Sequence, residues 1–287
     1  MTFLGFPGAS PGDPAEIAIL GVPLGVSYPG STNACADAPA AIRVRSQRLA
    51  RFVDHHDFDL DGPMLPGPLR VIDCGDVSGA EAAEQAVRAV LDAGAVPIVL
   101  GGDDSVPIPA LRAFATPLSV VQVDAHLDFR DEVQGVREGY SSTMRRASEM
   151  PHVERIVQVG LRGVGSARTS DVADARAAGN LLVTARELRE RGVAWLLDQL
   201  PAGGDVFVSF DLDGLDPSIA GAVSAPSPGG LTYEQACDLL AGLAVRSRIA
   251  GAAFTELVPA RDANELSALV VVRLLSRLIA GIARRRE

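Results

Sequence analysis

The sequence predicts an α/β fold of three layers: a mostly parallel central sheet with helices on both faces. Three observations carry that expectation. Short apolar runs alternate with helix-like runs along the whole chain. Several of these runs are continuously apolar, as parallel strands covered on both sides are. Acidic residues follow four of them, at the carboxyl ends where open α/β sheets bind ligands.

The strand-like runs are 17–22, 69–73, 96–100, 118–123, 155–159, 181–183, 206–210 and 251–255. Three helix starts match the capping box, in which a hydroxyl and a carboxyl or amide side chain satisfy orphan amides reciprocally. They are Ser78 with Glu81, Thr184 with Glu187, and Thr232 with Gln235. The stretch 264–283 is apolar on most faces and reads as a core helix, with a basic Arg-Arg-Arg-Glu tail suited to the helix dipole. Segments 1–14 and 54–68 are rich in Pro, Gly and Asp and read as loops. No linker or repeat divides the chain, so residues 1–287 are expected to form a single domain.

A formal charge of −10 argues against nucleic acid and anionic membrane as partners. Cys35, Cys74 and Cys237 are odd in number and widely spaced, which is neither a disulfide framework nor a zinc pattern. The expected compartment is a reducing cytoplasm; no signal peptide and no uninterrupted span of about 18 apolar residues is visible. Every one of the 26 basic residues is Arg, which removes Schiff-base and P-loop chemistry.

The chemistry-bearing residues are Asp124-Ala-His126-Leu-Asp128 and, further on, Asp211-Leu-Asp213. Each cluster follows an apolar run, so two strand ends can aim their carboxylates into one cleft. Four carboxylates and an imidazole repel or strand one another unless a cation sits among them. That oxygen and nitrogen set suits a hard divalent pair such as Mn²⁺. Two such metals about 3.5–4 Å apart form a hydrolytic centre. Ser105 and Ser209 have no His-Asp set around them, which speaks against a serine hydrolase.

These residues resemble the ureohydrolase family, the arginases and agmatinases. Four blocks match in order: Gly101-Gly-Asp-Asp-Ser, Asp124-Ala-His-Leu-Asp, Ser209-Phe-Asp-Leu-Asp-Gly-Leu-Asp-Pro and Thr255-Glu-Leu-Val-Pro. The likeness covers residues from about 15 to 285, with the agmatinase branch nearer on the stretch from Ser142 and the closing block. It implies an arginase-like fold, a homo-oligomer (trimer or hexamer), and two Mn²⁺ per subunit. One metal would be held by Asp104, Asp124, Asp128 and Asp211, the other by Asp124, His126, Asp211 and Asp213. A metal-bridging hydroxide would attack a guanidinium carbon to release urea and an amine. Asp128 would carry the proton and Glu256 would pair with the guanidinium.

Two positions depart from the family pattern. Asp104 stands where the family has its first metal histidine, with Asp103 beside it. Ser141 stands where the family has a histidine at the substrate, and serine does not titrate near neutral pH. Ser141 is kept as a catalytic and substrate-contact position. Arg137, with Arg130 and Glu138, lies in the loop expected to face the substrate tail, and an Arg there would suit a guanidino acid. The leading expectation is a Mn²⁺-dependent amidinohydrolase of a small guanidino substrate, agmatine-like or a guanidino acid. Hydrolysis of another C–N bond (formimino or amide) and a catalytically silent homologue are the alternatives. Among other residues, His55-His56 and His152 read as surface, Trp195 as core, Cys74 as small and buried, and Asp216-Pro217 as shaping a turn.

Overall fold

The structure, a computed structural model, describes residues 1–285 except 27 and 66. In chain order it runs β1 (Ile17–Val22), α1 (Ala38–Ala50), β2 (His56–Asp57), β3 (Gly62–Pro63), β4 (Val71–Asp76), α2 (Ala80–Asp92), β5 (Val96–Gly101), α3 (Pro107–Arg112) and β6 (Leu118–Val123). It continues α4 (Thr143–Ser148), β7 (Val153–Leu161), α5 (Thr169–Ala177), β8 (Leu181–Thr184), α6 (Ala185–Asp198), β9 (Asp205–Asp211), α7 (Tyr233–Arg246), β10 (Arg248–Thr255) and α8 (Leu266–Arg284). All eight apolar runs became strands of one sheet, ordered β4-β1-β5-β10-β9-β6-β7-β8. Every pairing in it is parallel.

Successive strand residues point to opposite faces, so each strand feeds two cores. Ile17 and Ile19, Val121 and Val123, and Val206 and Val208 pack with α1, α6, α7 and α8. Ala18 and Leu20, Leu118 and Val120, and Phe207 pack with α2, α3, α4 and α5. These are the three layers the sequence predicts, with all sheet edges parallel and both faces covered.

The differences from expectation are local. Residues 56–57 and 62–63 pair antiparallel inside the segment read as a loop. The Ser78 capping box does not form, because Gly79 takes φ 88 and begins the helix itself without a side-chain bond. Thr184 accepts from the Glu187 amide at 3.1 Å, one half of its box. Thr232 and Gln235 form both halves, at 3.1 and 3.0 Å. Trp195 is only half buried, lying against the core with the Arg191 guanidinium 4.4 Å above its ring. Cys74 is likewise half-buried, and all three cysteines are free. His55 and His56 are exposed, whereas His152 bonds the Leu111 carbonyl at 2.9 Å.

Helix α8 is long and apolar enough by composition to cross a membrane, yet 72% of its apolar window is buried within the molecule. It packs on α7 and α1 as a core helix. Of its basic tail, Arg285 reaches the carbonyls of Val245 and Ser247 at the end of α7, a cation at a helix carboxyl terminus. Arg286 and Glu287 lie outside the described residues. Leu278 sits in α8 with no exposed surface. Leu278→Ala is therefore expected to cost about 2–5 kcal/mol, read as a lowered denaturation midpoint. An unchanged midpoint would reject α8 as a core element.

Candidate metal centre

The four middle strands, β5, β10, β9 and β6, lie side by side. Their register brings their carboxyl ends to one level: Phe254 opposite Leu100, Thr255 opposite Asp211, and Val123 opposite Phe210. The chain leaves β5, re-enters the sheet at β6, and fills the gap later with β9 and β10. Ligand crevices form at such changes of strand order. The loops after all four strands open there, carrying Asp103 and Asp104, Asp124 to Asp128, Asp211 to Asp213, and Glu256.

The spacing of two residues within each acidic block has a local cause. Asp124 turns its carboxylate back to accept from the His126 amide at 2.5 Å. Asp211 does the same with the Asp213 amide at 2.7 Å. These are Asx-type turns, which end each strand and swing the next side chain but one toward the same centre. Asp213 then accepts from the Ala125 amide at 3.1 Å, tying the two loops together. A Cβ on Gly214 would lie 2.8 Å from the Asp124 nitrogen, so only glycine lets the loops approach this closely. Asp128 and Glu256 hold positive φ angles of 45° and 69°. Such conformations disfavour non-glycine residues by roughly 1–2 kcal/mol each, and here they aim two cleft carboxylates.

Behind the acids runs a buried amide chain. Gln122 donates to Asp124 at 2.6 Å and to Asp128 at 3.4 Å. Gln158 donates to the Gln122 carbonyl oxygen and to the Leu127 backbone, both at 2.6 Å. Asn180 donates to Gln158 at 2.9 Å. On the other side Arg162 donates to the carbonyls of Asp213, Leu215 and Ser227 at 2.7, 3.0 and 2.7 Å, clasping the end of β9 to the end of β7. Its charge serves backbone oxygens, and burial holds its pKa below the usual arginine value.

His126 Nδ1 lies 3.1 Å from Asp213 Oδ2 and 3.5 Å from Asp124 Oδ1. The Asp213 carboxylate raises its pKa against the opposing effect of burial. Ligand atoms of Asp124, His126 and Asp213 lie within 4.8 Å of one another, and so do those of Asp104, Asp124 and Asp128. The two groups share Asp124. Burial, reinforced by neighbouring carboxylates, raises Asp104, Asp124 and Asp211 well above the ordinary carboxylate range. Asp128 is pushed up to about 6 and Glu256 to about 7, burial again leading.

The donor set fits divalent metal. Among the described residues no arginine lies within ion-pair distance of Asp104, Asp124, Asp128, Asp211, Asp213 or Glu256. Asp104 Oδ1 accepts from Thr255 at 2.9 Å, while its buried Oδ2 has no hydrogen-bond partner. A buried carboxylate oxygen without a partner among further buried carboxylates calls for a cation. Asp104 thus keeps a ligand oxygen where the sequence comparison expected a histidine.

The site opens into a cleft of ≈ 450 Å³ lined by Asp103, Asp104, His126, Asp128, Ser141, Asp211, Asp213 and Glu256. Asp124 lies fully buried at its back. Ser141 is buried, with its amide donating to the Tyr28 phenol at 2.9 Å. Arg137 is not brought to the cleft. It is exposed and pairs with Asp131 at 3.0 Å, because the short Val133–Val136 bridge folds its loop onto itself. Glu138 pairs with Arg112, and Arg130 with the Ser166 carbonyl at 2.9 Å. Asp103 turns aside to the amide of Ser105 at 3.0 Å. Asp216 accepts from the amides of Ser218, Gly229 and Gly230 at 3.0, 2.7 and 3.2 Å and shapes its turn.

Sequence reasoning missed Tyr28, Cys35, Ser224 and the Gln122–Gln158 pair. Cys35 Sγ lies 3.7 Å from both Glu256 Oε2 and Ser224 Oγ. The glutamines carried a signal: each is a buried amide flanked by valines on both sides, and they are register partners. Gly139 carried another, since a Cβ there would fall 2.4 Å from the Tyr28 ring. A separate cavity of ≈ 500 Å³ opens at the other ends of the strands, around Val96, Phe114 and Arg248, away from the acid cluster.

Comparison with known proteins agrees with the blocks and the fold. The sequence pattern of the arginase family matches residues 15–281. A guanidinobutyrase from Pseudomonas aeruginosa is 30% identical, over 95% of this chain and 89% of its own length. An agmatinase from Pyrococcus horikoshii is 30% identical, over 94% and 93%. The proclavaminate amidino hydrolase structure from Streptomyces clavuligerus superposes with a TM-score of 0.86 at 26% identity, covering 99% of this chain and 97% of that one.

Two outcomes follow from the geometry. Gln122→Leu removes the donor to Asp124 and Asp128, so metal affinity measured by titration calorimetry should fall roughly 10–100-fold; unchanged affinity would discard the amide chain as a support. In metal-free protein, Asp128 and Glu256 retain protons that the unfolded chain has released. Their contribution to stability is present below the ordinary carboxylate pKa and is lost as pH rises toward about 6 and about 7. Metal-free protein should therefore melt lower at pH 8 than at pH 5.5, and divalent metal should raise the midpoint more at pH 8. A gap that did not depend on metal would reject the cluster as its source.

Proposed function

Because the chain belongs to the arginase family, we propose that it is a Mn²⁺-dependent amidinohydrolase, holding two ions per subunit and hydrolysing a small guanidino compound to urea and an amine. The observation that carries this reading is the convergence of Asp104, Asp124, Asp128, Asp211, Asp213 and His126 opposite Glu256 in one cleft, with no arginine paired to these carboxylates among the described residues. Asp104, Asp124, Asp128 and Asp211 would hold one ion; Asp124, His126, Asp211 and Asp213 would hold the other. Bound metal supplies Lewis acidity and a water of lowered pKa.

The remaining work falls to the chain's own side chains. Glu256 Oε1 is held by the Asp104 amide at 2.9 Å, which orients the carboxylate toward a planar guanidinium. Water adds to the guanidinium carbon, and the bond from that carbon to the substituted nitrogen breaks. Asp128, which lines the cleft beside the reacting carbon, takes the proton from water and delivers it to the leaving amine. One water is consumed, and the substrate's positive charge leaves on the ammonium product. Ser141 contributes a hydrogen bond at the cleft wall in place of a titrating histidine. Arg137, paired outside the cleft, has no part in this scheme.

The reading includes one domain over residues 1–287, a cytoplasmic location, and a homo-oligomer, trimer or hexamer, measurable by light scattering. Urea release from Mn²⁺-loaded protein, with agmatine, arginine and three- to five-carbon guanidino acids, tests it. Urea from one substrate class, lost in Asp124→Asn by at least about a hundredfold (about 2.7 kcal/mol or more), is the expected result. Two bound metals with no urea would move the reading to a formimino or amide C–N bond. No second metal and no urea would mark a silent homologue. Asp104→His should tighten Mn²⁺ binding, since it restores the imidazole of the family pattern at this position; weaker or unchanged binding would count against Asp104 in the ligand set.

A further inference from the structure

The floor of the cleft is acidic, and its mouth carries one arginine among the described lining residues, Arg261. It ends the turn Pro259–Arg261 that follows Glu256. Its Nη1 donates to the carbonyls of Val223 and Ser224 at 2.7 and 3.1 Å. Ser224 also leans inward: its Oγ is 3.7 Å from Cys35 Sγ, which is 3.7 Å from Glu256 Oε2. Ser224 therefore touches Arg261 on one side and reaches the Glu256 neighbourhood on the other.

Arg261 differs from the arginines of the neighbouring loop. Arg137, Arg145 and Arg146 each pair with an acid. No carboxylate pairs with Arg261 among the described residues, and its side chain is exposed. A guanidinium has five N–H donors in a rigid fork. The two backbone bonds use Nη1 and fix the plane, which leaves the edge of Nε and Nη2 for a planar anion.

We propose that Arg261 is the tail anchor of the cleft and makes the chain select ω-guanidino acids over guanidino amines. This rests on the guanidino reading above. A substrate whose guanidinium meets Glu256 extends its tail toward the mouth, past Ser224. A carboxylate there pairs with Arg261; an ammonium meets a like charge. The selectivity that the sequence sought at Arg137 is supplied from the loop after β10 instead.

The test is calorimetric binding to the full-length Mn²⁺-loaded protein, with urea release measured in parallel. The probes are 4-guanidinobutyrate, n-butylguanidine, which lacks the carboxylate, and agmatine. A charged hydrogen-bonded pair should make the acid bind roughly 10–100-fold tighter than butylguanidine. Arg261→Ala should abolish that gap by weakening the acid alone, raising its KM more than it lowers kcat, because the contact lies away from the reacting carbon. Arg261→Glu should shift preference toward agmatine, and Arg261→Lys should retain part of the acid's advantage. Equal binding of acid and butylguanidine, equal weakening of both by Arg261→Ala, or no binding of either would overturn the proposal. Selective acid binding without urea would refute the hydrolase reading and leave Arg261 standing. Urea from agmatine with no advantage for the acid would do the reverse.

Discussion

Five aspartates meeting at one buried point is the constraint from which much else in this molecule follows. Such a cluster is unfavourable in water-poor surroundings unless it is protonated or holds cations. Everything around it acts to keep the carboxylates converged. Asx-type turns at Asp124 and Asp211 fold each acidic block back on itself. Asp213 ties one block to the other through the Ala125 amide. Gln122 holds Asp124 and Asp128 from behind. Arg162 serves from the side, satisfying carbonyls, and among the described residues no arginine pairs with the carboxylates themselves. An arginine placed directly among them would have stabilised the apo cluster and competed with metal.

The sheet makes this convergence mechanical. Parallel strands put every carboxyl end on the same side. The strand order places β5, β10, β9 and β6 together, so four loops that are distant in sequence share one crevice. Two cores, one on each face, hold the strands rigid. Against that rigidity the structure sustains positive φ at Asp128 and Glu256, backbone conformations that an isolated loop would relax. Precision at the site is thus supplied by packing some distance from it, including α8, whose apolar surface is absorbed by α1 and α7.

The two departures from the family pattern have different structural meanings. Asp104 keeps an oxygen facing the centre, so the change alters charge more than geometry. Ser141 keeps a place on the cleft wall but cannot titrate, and its amide is held by Tyr28, whose ring needs Gly139 to come close. In the proposed scheme proton transfer therefore rests on Asp128. In the proposed reading, charge selection at the cleft mouth falls to Arg261, two residues past the closing family block.

By itself the sequence determined the eight strands, the parallel three-layer arrangement and the acidic ends, because apolar periodicity and strand-end chemistry are local properties. Asp104, Asp124, His126, Asp128, Asp211, Asp213 and Glu256 were legible for the same reason: each closes a readable strand. The Thr232 cap was legible too, whereas Ser78 was not, since Gly79 decides that helix start through its own φ. Only the tertiary structure decided which loops face one another. It withdrew Arg137 into a local ion pair and brought Arg261, Cys35 and Ser224 to the Glu256 side of the cleft. It also joined Gln122 to Gln158 across a strand pair. Those contacts depend on strand order and on partners far apart in the chain, and charge pairing between distant loops leaves no period or spacing for a linear reading to detect.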